Sequence, residues 1–161
     1  MKHLELLVNA LNKISMILAG IAVLALMVLA TGNVVLRIFH IPYRGAYEIV
    51  SFLGALVIAG ALGYTQQRKN HIVVDILTEK FPKQIHRFLD VINYGVTLVF
   101  FGIMAWQTYL FGMKIWESHE VSETLKVIFH PFIFGVSIGF ALLSLNLFLD
   151  FLKALLNKGG E

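Results

Sequence analysis

The chain contains no cysteine, so disulfides, thiolate nucleophiles, iron–sulfur clusters and covalent haem attachment are excluded for want of the ligand. Charge is also scarce: Asp, Glu, Lys and Arg make up 14% of 161 residues, while 58% are hydrophobic. That balance lies far from soluble domains and fits an integral membrane protein. The formal charge of +3 is small, and the basic residues lie between apolar runs. They form no basic stripe with interleaved aromatics, so nucleic acid is not a partner. Internal repeats and low-complexity linkers are missing as well, which argues against a transporter built from two inverted halves within this chain. A single membrane domain over residues 1–161 is the economical organisation.

What the sequence does have is four charge-free runs, Ile14 to Leu36, Ile49 to Gln67, Val91 to Met113 and Val127 to Leu149. Runs of this length, at about 1.5 Å rise per residue, cross a hydrocarbon core of about 30 Å. The expected fold class is an all-α membrane protein with four transmembrane helices. The first run is longer than the apolar part of a secretory signal and no clear cleavage site follows it, so it is expected to be retained. Nine of the thirteen Lys and Arg residues fall on one side of the implied membrane: Lys2, Lys13, Arg68, Lys69, Lys80, Lys83, Arg87, Lys153 and Lys158. Arg37, Arg44, Lys114 and Lys126 fall on the other. The positive-inside rule therefore places both termini in the cytoplasm.

Two amphipathic segments complete the expected architecture. In MKHLELLVNALNK, Leu4, Leu7, Val8 and Leu11 recur at helical spacing with Lys2, Glu5, Asn9 and Asn12 elsewhere, which predicts a short helix along the cytoplasmic surface leading into the first span. Between spans two and three, the spacing predicts an interfacial helix over residues 70–81. Ile72, Val73, Ile76, Leu77 and Phe81 share one face, Lys69, Asp75, Thr78, Glu79 and Lys83 the other, and Pro82 ends it. Asn70 is a candidate cap, and His71 and Asp75 are helical neighbours. Two such side chains without a third make poor metal or general-base chemistry, so a local hydrogen bond or a subunit contact is the expected role. Both segments would bring the chain against membrane lipid.

The spans carry no ionisable group at their centres, where a charge costs about 2.5 to 3.5 kcal/mol and is retained for function. Small multidrug-type exporters, which need a carboxylate in the first span, fit poorly. A respiratory membrane anchor that clamps haem between helix-borne histidines is the alternative reading. Of the six histidines only His130 falls within a span, so the second ligand is missing. No cofactor is expected.

Uncharged polar groups within the spans (Asn33, Ser51, Gln107, Thr108, Ser137, Ser144 and Asn146) are expected to bond between helices. Small residues recur every fourth position at Ala55, Ala59 and Gly63, and again at Gly135 and Gly139, giving flat faces that another helix can approach. At the outer boundary Arg44 precedes Glu48 by four residues, the spacing of a helical ion pair; Glu48 is also a candidate contact with a partner subunit. Glu117, Glu120 and Glu123 recur every third residue beside Trp116, an acidic patch that is either a solvated face or a contact for an extracytoplasmic partner.

Three of these stretches together resemble a known family. YRGAYEIVSFLGAL at the second span, the R-x-x-H-I-x-V-D-x-L-x-x-x-x-P element in RKNHIVVDILTEKFP, and SETLKVIFHPFIFGVSIG at the fourth are similar to the small permease subunit of TRAP (tripartite ATP-independent periplasmic) transporters. The resemblance spans nearly the whole chain. It implies a scaffold or stator in the bacterial inner membrane, beside a large elevator-type subunit that holds the sodium and substrate sites. It also implies a periplasmic binding protein that captures an organic acid, such as a C4-dicarboxylate or sialic acid. By similarity, His71 and Asp75 fall on the signature helix, Glu48 on the acid at the start of the second span, and none on a substrate site; the chain would not be an enzyme.

Overall fold

A computed structural model describes residues 2–41, 43–68 and 83–156. They form four α-helices: α1 (Lys2–Ile38), α2 (Ala46–Gln67), α3 (Lys83–Ser118) and α4 (His130–Leu155). Each contains a segment long and apolar enough to cross a membrane, so the chain is an all-α, multi-pass membrane protein. The helices pack in the order α1, α2, α4, α3, with a lesser contact between α1 and α4. α4 sits innermost, a third of its span being buried, against 6% for α3. Residues 69–82, which include the expected interfacial helix with His71 and Asp75, lie outside the described residues.

α1 and α3 are longer than their apolar runs. With 37 residues, α1 is about 55 Å long at about 1.5 Å per residue, well beyond a hydrocarbon core of about 30 Å. The N-terminal amphipathic stretch is not a separate helix lying along the surface, as its pattern predicted. It is the continuous beginning of α1. Nothing breaks the helix there, since no proline or glycine occurs before Gly20, and its polar face is engaged by α2 and α4. Asn12 and Val8 have no exposed surface.

The two helix–helix turns at one end of the bundle explain how α1 and α3 stop. At the end of α1 the Ile41 N–H bonds the Leu36 carbonyl (3.0 Å) and the His40 N–H bonds that of Arg37 (3.1 Å). This is a Schellman closure, in which the residue after the cap is left-handed. His40 occupies that position with φ 61°, and the Asn33 side chain accepts from the Tyr43 N–H at 2.9 Å to fix the turn. Glycine carries no Cβ penalty there. His40→Gly is therefore expected to raise stability by about 0.5 to 1 kcal/mol, read as a higher melting temperature in detergent; a lower one would show that the imidazole itself contributes.

α4 begins at His130, three residues later than its apolar run suggested. Pro131 lies in the first helical turn, where its missing N–H costs nothing. Val121 and Ile128 pair across an antiparallel bridge instead, and residues 119–129 form a small hairpin-like loop between α3 and α4.

Candidate functional site

Among the described residues, most side-chain hydrogen bonds between separate elements lie at the two ends of the bundle. Between the two ends runs a seam of small residues.

At the end bearing the α1–α2 and α3–α4 connections, Glu48 stands in the first turn of α2. Its Oε1 accepts the Thr124 N–H at 2.6 Å and its Oε2 the Leu125 N–H at 3.0 Å. The expected ion pair with Arg44 is not formed. Arg44 is exposed, and the carboxylate is taken by two consecutive amides, whose fixed spacing matches its two oxygens better than a flexible guanidinium that also has water to bond. Around this contact the Leu125 side chain lies against Gly45, and the Phe52 ring stacks on Phe129 (centroids 5.8 Å) and Phe132 (5.0 Å). Within the loop, the Ser122 N–H bonds the Val127 carbonyl at 2.9 Å and the Ser122 hydroxyl accepts the Val127 N–H at 3.2 Å.

The acidic patch lies on the same end. α3 stops at Ser118 with His119 left-handed at φ 53°, so Glu117 closes a helix while Glu120 and Glu123 belong to the loop. The three-residue spacing does not describe one helical face. All three are nonetheless exposed, beside Trp116, which stacks on His130 with centroids 5.9 Å apart. Val121 and Ile128 are also largely exposed.

At the opposite end, where α1 begins and α4 ends, a side-chain network ties three helices. Asn12 of α1 and Asn146 of α4 exchange amide hydrogen bonds: Asn12 donates to Asn146 Oδ1 at 2.8 Å and Asn146 to Asn12 Oδ1 at 3.1 Å. Asn12 also donates to Gln67 Oε1 (3.3 Å), and Gln67 to Asn9 Oδ1 (2.8 Å). Gln66 donates to Asp150 at 2.9 Å, and Glu5 meets Lys153 at 3.2 Å. Sequence reasoning foresaw interhelical bonding for Asn146 but not its partner, which had been assigned to a surface helix. Gln66, Gln67 and Asp150 were missed because they lie at the margins of their apolar runs, where a polar residue is unremarked.

The seam joins α2 to α4. A Cβ on Gly139 would lie 2.5 Å from the Ala59 carbonyl oxygen and 2.7 Å from its Cβ, and Ala59 is 2% exposed. A Cβ on Gly63 would lie 2.6 Å from Asn12 Oδ1, so this glycine makes room for the amide pair. Gly135 faces Leu56. Ala55 alone of the small residues singled out from the sequence is exposed.

An apolar groove of about 610 Å³ runs between α3 and α4, lined by residues such as Gly102, Trp106, Tyr109, Ala141 and Phe148. Its Ser137 hydroxyl is already spent on the Ala105 carbonyl at 2.9 Å. With no charged residue in its lining, this groove lacks the cation that would hold an organic acid.

A family model described as the DctQ component of tripartite ATP-independent periplasmic transporters matches residues 25–157. No curated protein and no solved structure gives a match.

Proposed function

Because the chain belongs to the family of the DctQ component of tripartite ATP-independent periplasmic transporters, a family of transporter components and not of enzymes, we propose that it is the scaffold or stator subunit of a sodium-coupled importer of an organic acid, such as a C4-dicarboxylate or sialic acid. It packs in the bacterial inner membrane beside a large elevator-type subunit, with both termini in the cytoplasm and membrane lipid around the rest. The large subunit supplies the sodium and substrate sites.

The observation that carries this reading is where the polar groups go. A sodium or carboxylate path needs charges or free oxygens inside the membrane, and here Ser137, Asn146 and Gln66 are each bonded to another helix. Their hydrogen-bonding capacity supports rigidity, as a static partner to a moving subunit requires. Arg44, Ala55, His71 and Asp75 are the proposed contacts with the large subunit. The loop between α3 and α4, with Trp116, Glu117, Glu120 and Glu123, is the proposed docking face for the periplasmic binding protein; its exposed acids suit a basic surface, since complementary charge speeds association.

Reconstituted alone in liposomes with a sodium gradient, the chain is expected to take up no labelled succinate or sialic acid, while co-expression with its large subunit yields a complex that co-purifies and transports once the binding protein is added. Uptake by the chain alone would sink the scaffold reading.

A further inference from the structure

We infer that Glu48 is a positioning residue that holds the loop of residues 119–129 in the orientation in which it meets the extracytoplasmic partner, an inference that rests on the reading of that loop as the docking face.

The loop has little to hold itself. Its internal ties are one antiparallel bridge, Val121 with Ile128, and the hydrogen bonds around Ser122. Lys126 sits left-handed at φ 54°, a conformation that disfavours a side chain, and an isolated two-stranded hairpin is marginal in water. From outside, the loop meets α2 through apolar contacts, Leu125 on Gly45 and Phe129 on Phe52, and through Glu48, which supplies the directional constraint. Its two carboxylate oxygens each take one of two consecutive amides at the tip, Thr124 and Leu125. Charge-assisted bonds of this kind are short and directional.

The anchor also stands on a rigid base. Glu48 lies in the first turn of α2, where the helix N-terminus favours a negative charge, and α2 is fixed against α4 by the seam at Ala59 and Gly139. The loop is thereby referred to the helix bundle and not only to its own two stems. A docking loop already ordered loses less conformational freedom on binding. Glu48 itself is occupied by the loop, so it acts on the partner through the loop and not by contact.

The test uses the complete transporter in liposomes, with wild-type, Glu48→Ala, Glu48→Gln and Glu48→Asp small subunits and labelled succinate or sialic acid, whichever the wild type takes up. Hydrogen exchange reads the Thr124 and Leu125 amides, and uptake is followed against binding-protein concentration. Glu48→Ala is expected to lose roughly tenfold of amide protection and to need more binding protein for half-maximal uptake, with uptake at saturation retained. Glu48→Gln, which keeps one acceptor oxygen, should fall between and covers the case in which the alanine variant does not fold. Glu48→Asp, charged but a methylene shorter, should resemble alanine if position matters and wild type if charge alone does; the latter overturns the inference. Unchanged protection overturns it, as does lost protection with an unchanged half-saturation point. If wild-type uptake does not depend on the binding protein at all, the docking reading itself falls, a result the Glu48 variants cannot produce.

Discussion

Gly139→Leu is expected to lower the stability and recovery of the folded chain sharply, whereas Gly54→Leu should leave its folding intact. The two glycines look alike in sequence, each inside an apolar span. A Cβ at position 139 would meet backbone atoms of Ala59 at 2.5 and 2.6 Å, and one at position 54 would meet nothing within 4 Å. Backbone cannot rotate aside as a side-chain tip can, so α2 and α4 must separate. Overpacking costs about 1 to 3 kcal/mol even where side chains can adjust, and here the displaced contact is the central one of the bundle. Because the clash is with backbone, the cost should lie at or above the top of that range, about 3 kcal/mol, a large share of a total stability of about 5 to 15 kcal/mol. Elution as a monodisperse species in mild detergent, with thermal melting of what survives, measures the effect. Equal tolerance of leucine at both positions would mean that α2 and α4 do not approach as described.

Asn146→Ala is expected to cost about 1 to 3 kcal/mol, because it leaves the amide of Asn12, which has no exposed surface, short of its principal partner. Asn12→Ala should cost a similar amount, for the reciprocal reason. The pair is more informative than either change. Once one amide is gone the other has less to lose, so the double variant should be destabilised by less than the sum, with a coupling of about 0.6 to 2 kcal/mol, the range of interhelical hydrogen bonds in membranes. Reversible unfolding in mixed detergent–SDS micelles gives the four free energies. Strict additivity would show that the two asparagines do not share bonds.

Both expectations concern contacts between residues far apart in the chain, and that is where reading the sequence loses its grip. Asn12 and Asn146 are 134 positions apart, and no local pattern links them. The hydrophobic spacing of MKHLELLVNALNK is compatible with a helix on the membrane surface and with the beginning of a long α1. Its polar face was expected to meet water and meets Gln67 and Asn146 instead. Arg44 and Glu48 illustrate the same limit. Their spacing satisfies the rule for a helical ion pair, yet the α3–α4 loop brings two amides to the carboxylate, and fixed amides outcompete an exposed guanidinium.

Four spans and the absence of charge at their centres follow from the sequence alone, because hydrocarbon thickness and the cost of burying charge act on each segment independently of its neighbours. The resemblance carried by YRGAYEIVSFLGAL and RKNHIVVDILTEKFP was equally legible, and the family match bears it out. Only the tertiary structure decided the packing order α1, α2, α4, α3, the use of Gly63 and Gly139 within the chain's own seam, and the partners of Glu48 and Asn12. The bilayer selects helices by composition, but in a solvent as apolar as the side chains themselves it does not say which helices meet. That choice falls to close approach and to a few hydrogen bonds, which belong to pairs of residues and not to any one stretch of sequence.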